Sequence, residues 1–330
     1  MSYARRSYSI RSLGVRVAVA MWDMMVLVLD QWAFEIKDYR MQNSRNYNNA
    51  EPGSVVAAIL DLAPLRGHAL WNLLLLTEAF MLSLLSVFLM RLIGVAEAGL
   101  MGIVLASAAM TPRLNRVLEI NREQIWIQGS SGLRANQASL LSGLSIFLGM
   151  LVAFLVVGIV SDEAQLQKDF SFILQQTRVD PDAILSPDRF SHGMAIFSHN
   201  AMVLISFAIL AFIYRALGTM IALGWNAGVW GITIVLFMGG GADSDWNPIV
   251  YAIMILVAIM PHLVTEAAAY VVGSLSSVFL SRGVTLYGIG NPRLNRVMVA
   301  VLVLAFVSVV LLVAGALLEH YVPALVLQTV

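Results

Sequence analysis

The chain has 330 residues, of which 59% are hydrophobic and only 12% charged, with a mean hydropathy of +0.81; a water-soluble globule carries about twice that charge. A soluble globule is therefore excluded in favour of an integral membrane protein. Lys plus Arg and Asp plus Glu both number 20 and cysteine is absent, so nothing draws the chain toward nucleic acid, and disulfides and thiolate chemistry are excluded. The apolar segments are unbroken runs near membrane length, not alternating strands of about 10 residues, which predicts an all-α polytopic transmembrane bundle of about seven spans.

Residues 1–68 read as a cytoplasmic or interfacial region. Arg5, Arg6, Arg11 and Arg16 lead into Val17–Leu29, an apolar run split by Asp23 and closed by Asp30. That pattern suits an amphipathic helix at the headgroup level, with a short span as the alternative, and Asp23 argues against a signal peptide.

Residues 69–135 predict a transmembrane hairpin and a basic loop. Its legs are Leu70–Met90, carrying Glu78, and Leu92–Met110, carrying Glu97, with Arg91 between them. The carboxylates either line a pathway or pair with Arg91 or another subunit. Thr111–Asn136 holds Arg113, Arg116, Arg122 and Arg134 against Glu119 and Glu123, which places it in the cytoplasm by the positive-inside rule.

Residues 136–330 predict a five-span core. Leu140–Val160 crosses outward, and the acidic stretch Asp162–Arg189 suits a non-cytoplasmic loop with a short amphipathic helix around Phe170–Leu174. Met194–Tyr214 returns and Leu217–Met238 crosses again, with Arg215 at the corner and Asp243 and Asp245 in the next turn. Pro248–Leu280 is apolar for a length of about 50 Å at 1.5 Å per residue, well beyond the ~30 Å hydrocarbon core, so a kinked or broken helix is expected around Pro261. The basic turn Ser281–Arg296 and the span Val297–Leu318 follow, leaving the N-terminus in and the C-terminus out.

Within the long span, Pro261, His262 and Glu266 form the sharpest constellation, because His262 and Glu266 share one helix face. An ionisable side chain at that depth costs at least ~2.5 kcal/mol unless it faces protein or water. The pair reads as interhelical glue, a proton or ion relay, or two ligands of a metal site, with glue favoured and metal disfavoured for want of a third ligand. His199 and Asn200 lie about one turn inside their span, and Asn226 lies among Gly218, Gly224, Gly228 and Gly231, a face suited to close helix approach. Pro112–Val117 recurs as Pro292–Val297, both reading Pro-Arg-Leu-Asn-Arg-Val. Two similar membrane-edge turns explain the repeat best, and contact of Arg113, Arg116, Arg293 and Arg296 with anionic lipid or a partner is the alternative.

Over about residues 140–325 four elements stand in order: Ser198-His199-Asn200-Ala201, Trp225-Asn226-Ala227-Gly228, Pro261-His262-Leu263-Val264-Thr265-Glu266, and Leu312 to Glu319 ahead of Pro323. Their order resembles the stage II sporulation protein M family, with His199 in place of an Asn and Leu263 in place of a Gly. The resemblance implies a non-enzymatic membrane subunit that scaffolds an envelope-remodelling complex in the prokaryotic inner membrane; a transport component is the competing class. It adds Glu319 to the polar candidates. Expected partners are membrane lipids, other membrane or membrane-associated subunits and a second copy of the chain, with no nucleic acid, cofactor or metal.

Overall fold

A computed structural model of the chain describes residues 69–126, 132–176, 189–240, 247–287 and 290–328. The readings made of residues 1–68, including the Val17–Leu29 helix, lie outside the described residues, as do Asp243 and Asp245. Nine helices and no strand make up the described part: α1 (Ala69–Leu92), α2 (Ala98–Trp126), α3 (Gly132–Val160), α4 (Glu163–Asp169), α5 (Ser171–Gln176), α6 (Arg189–Tyr214), α7 (Ala216–Gly240), α8 (Pro248–Leu286) and α9 (Pro292–Gln328). Six of them, α1, α3, α6, α7, α8 and α9, are long and apolar enough to cross a membrane.

The expected second leg of the hairpin is where sequence and structure differ most. Helix α2 starts at Ala98, not Leu92, and continues through Pro112 to Trp126, so the stretch from Thr111 to Trp126 is helical where a loop was expected. It runs antiparallel to α1: Gly102 faces Val87 at one end, and Arg113 meets Glu78 further down. At 1.5 Å per residue its 29 residues reach about 43 Å, enough to return across the membrane. Packing against α1, α3 and α7 buries Arg113 and Asn121 of its polar lower half, so the helix is partly sheltered although it lacks an apolar 18-residue stretch. Six of the seven expected crossings are thus long apolar helices, and α2, in the place of the other, is not one of them.

The turn into α2 is set by two residues in the left-handed region, Gly94 (φ 72°) and Glu97 (φ 57°). Val95 N donates to Met90 O and Gly94 N to Arg91 O, the paired bonds of a glycine-closed helix C-terminus. Arg215 (φ 54°) alone separates α6 from α7. Gly218 makes this corner possible, since a Cβ there would lie 2.1 Å from Leu210 O.

The main core is built from α1, α2, α3 and α7. Helix α8 joins it through Leu263, Ala267, Val271, Leu275 and Val278, spaced at three and four residues as one helix face requires. Its neighbouring face, with Ala269 and Tyr270, packs on α6 and α9 around Leu204, Phe207 and Leu312. Of the kinked or broken helix expected around Pro261, the broken form is absent: α8 is one helix of 39 residues with that proline inside it. A membrane helix tolerates such a proline when neighbouring groups re-satisfy the freed backbone; the carbonyl that loses its donor here is that of Val257, one turn back.

In the described part of the acidic connection after α3, the short surface helix expected around Phe170–Leu174 is found as two helices, α4 and α5, with Phe170 between them. Asp162 caps α4 by accepting from Gln165 N, while Leu166, Phe170 and Ile173 are buried. Phe170 meets Phe154 of α3 edge-on at 6.3 Å, so α4 and α5 form a plug over the bundle end.

Candidate functional site

Near the midpoint of α8 three helices converge on Glu266, which is 3% exposed. Asn200 of α6 donates through Nδ2 to Glu266 Oε1 at 2.5 Å. From α9, Gly315 supplies a gap: a Cβ on it would stand 2.8 Å from Glu266 Cγ. One turn further along the same face of α9 is Glu319, close enough for its charge to act on Glu266 and Tyr270. Glycine at 315 is thus what lets a carboxylate-bearing helix lie against α9.

An aromatic stack anchors this junction to the rest of the bundle. Tyr270, one turn after Glu266, meets Phe207 of α6 edge-on at 5.6 Å and lies 6.2 Å from Trp230 of α7. Trp230 in turn meets Phe147 of α3 at 5.6 Å. Rings at these separations add about 0.5–1.5 kcal/mol per pair beyond buried area. Below the stack α8 and α9 are stitched by hydroxyls: Ser308 Oγ donates to Ala269 O at 2.8 Å and Ser276 Oγ to Val301 O at 2.9 Å.

His262 shares the Glu266 face and is half-buried, and its Nδ1 is buried with no partner among the described residues. Pro261 and His199 are exposed. Asn226 is buried but donates to Ala222 O of its own helix at 2.9 Å, so no bond joins it to Glu266.

The remaining candidates fall into separate clusters. Glu78 accepts two bonds from Arg113, at 2.7 and 2.8 Å, and Arg113 is only 5% exposed. This guanidinium is turned inward, away from any headgroup. Arg91, expected near Glu78 or Glu97, instead pairs with Asp169 at 2.6 Å and reaches Ser161 at 2.7 Å, fastening the plug to α1 and α3. Glu97 sits at the α1–α2 turn and not inside a span, where it accepts from Ser171. Arg116 pairs with Glu119 at 3.4 Å. Arg293 and Arg296 are exposed at the start of α9, so the two copies of the repeated hexapeptide occupy unlike places, one mid-helix and one at a helix start.

Sequence reasoning missed the Arg91–Asp169 pair and the bond from Arg282 Nη2 to Asn115 Oδ1 at 2.8 Å, because both join residues far apart in the chain. The fixed order of the four elements was the available signal for the Glu266 junction, and three of the four, on α6, α8 and α9, do meet there.

The family model described as Stage II sporulation protein M matches residues 138–323. No curated protein and no solved structure matches the chain. The matched region begins in α3 and ends in α9, and so contains the whole Glu266 junction. The hairpin of α1 and α2 precedes it, yet packs into the same core.

Proposed function

Starting from a chain that belongs to the Stage II sporulation protein M family, we propose a non-enzymatic membrane subunit whose bundle is a rigid platform for a multiprotein complex that remodels the cell envelope. The observation that carries this reading is the junction at Glu266. Its carboxylate is bonded to Asn200 and pressed against Gly315, which is how a polar group holds three helices together. In the proposed setting of a prokaryotic plasma membrane, Arg122 near the end of α2, Arg282 near the end of α8 and the arginines at the start of α9 face the cytoplasm. The acidic plug, with Asp162 and Glu163, then faces outward, and the C-terminus with it.

One observation favours the transport reading. The unpartnered His262 Nδ1 lies one turn from Glu266, with Glu319 beyond it, and such a row of titratable groups suits a proton relay. A single pair of variants separates the two. Glu266→Gln keeps volume and hydrogen bonding but cannot titrate, so a platform retains its co-purifying chains and its cellular activity, whereas Gly315→Leu loses both by forcing α9 away. Loss of activity in Glu266→Gln with every partner still bound would overturn the platform in favour of the relay.

A further inference from the structure

At the basic end of the bundle a cavity of about 490 Å³ opens between α2, α3, α8 and α9. Arg122, Arg282 and Arg296 line it from three different helices, and Asn136 adds an amide. No Asp or Glu lines it among the described residues. Glu119, whose charge acts on Arg282, is itself engaged by Arg116 at 3.4 Å. Arg282 spends one donor on Asn115, while neither Arg122 nor Arg296 has an ion-pair partner among the described residues. The other walls are apolar, with Phe279 and Leu286 of α8 and Val297 and Ala300 of α9. Three guanidiniums held around one space repel one another unless an anion sits between them. Their forked donors match phosphate oxygens, and the volume lies in the range of small-ligand sites.

We propose that this cavity binds the phosphate headgroup of an anionic phospholipid, with Arg122, Arg282 and Arg296 on the phosphate and the walls from Phe279 to Ala300 along the first part of the acyl chains. The apolar half of the lining selects a lipid over a free phosphate. Its position, beside the charged ends of α8 and α9 where their apolar runs begin, is the height at which headgroups lie. Of the four arginines of the repeat for which lipid contact was the alternative reading, Arg113, Arg116 and Arg293 are not part of the lining; Arg296 is, together with two arginines from elsewhere in the chain. The proposal goes beyond the platform reading and does not depend on it, because it requires only that the bundle spans a membrane.

The test is thermal unfolding of the detergent-purified full chain titrated with short-chain phosphatidylglycerol, with phosphatidylcholine of equal chain length, and with inorganic phosphate. Phosphatidylglycerol is expected to raise the melting temperature saturably and the other two are not. Arg122→Gln combined with Arg296→Gln should weaken the apparent affinity by roughly tenfold or more, since charged hydrogen bonds are lost, without altering the lipid-free melting temperature. Arg293→Gln, at the same membrane edge but outside the cavity lining, should leave the affinity unchanged. Ala300→Trp, which fills the apolar side without touching an arginine, should weaken binding as well. Equal loss in Arg293→Gln and in Arg122→Gln/Arg296→Gln, or undiminished binding in Arg122→Gln/Arg296→Gln or in Ala300→Trp, overturns the site. Protection by inorganic phosphate equal to that by phosphatidylglycerol overturns the lipid in favour of a soluble anion.

Discussion

Glu78 and Arg113 form an asymmetric pair, and the asymmetry makes a prediction. Arg113 has 5% of its side chain exposed and Glu78 has 29%. Removing one partner of a buried pair costs about 3–5 kcal/mol because the other charge is left uncompensated. A stranded carboxylate can be neutralised by a proton, whereas a guanidinium stays charged. Glu78→Ala should therefore lower the melting temperature of the purified chain more than Arg113→Ala, and Glu78→Ala/Arg113→Met should recover part of the loss; equal effects of the two single changes would mean that burial does not set the cost. The same pair explains why this part of the structure was illegible in the sequence. Arg113 and Arg116 stand three residues apart after an apolar run, which is the usual signature of a membrane-edge loop, and nothing in their spacing reveals a carboxylate waiting on α1. Glu266 was more legible, since a carboxylate in an otherwise apolar segment demands a partner. Its partner Asn200 was among the candidates on another span, but their meeting, and the role of Gly315, depend on how α6, α8 and α9 pack.

Among the elements, α8 carries the most structural duty, with one face in the main core and the next against α6 and α9. Its length, 39 residues, corresponds to about 59 Å, and the apolar excess was expected to force a kink or a break at Pro261. The helix continues without a break, so the proline's missing N–H is a local loss. Pro261→Ala returns the backbone donor at an exposed position, and a proline inside a helix can cost about 3 kcal/mol. The melting temperature should therefore hold or rise, as followed by thermal unfolding in detergent; a fall would show that α8 needs a bend to seat Glu266. Element boundaries were legible wherever hydropathy and capping agreed: α8 starts at Pro248 as expected, with Asn247 capping Ile249 N at 2.9 Å, and the α6–α7 corner falls at Arg215. They failed at α2, where tertiary shelter replaces lipid as the helix's surroundings, so hydropathy stops at Met110 while the helix does not. The turn itself had a local signal in Gly94, directly after Arg91-Leu92-Ile93, which suits a left-handed helix stop.

For the whole molecule, treating α2 as a crossing fixes the sidedness of every other element. Asn121 of α2 bonds Asn136 and Ser139 of α3 at 3.1 and 2.9 Å, and Arg215 reaches Thr285 at 3.0 Å, so the ends of α2 and α8, the start of α3 and the α6–α7 corner share one side. Arg91 and Ser161 place the end of α1, the end of α3 and the plug on the other. If α2 did not cross, its far end could not lie beside the beginning of α3, and the arginine-rich end would be divided between the two faces of the membrane. The absence of cysteine makes this directly measurable, because any introduced cysteine is the sole thiol. Glu163→Cys in the plug should react in intact cells with a membrane-impermeant maleimide, whereas Asn295→Cys at the start of α9, also exposed, should react only after permeabilisation. The reverse pattern would invert the proposed orientation while keeping the bundle. Labelling of both sites from one side would require an even number of crossings between α4 and α9, and hence a different path for one of α6, α7 or α8.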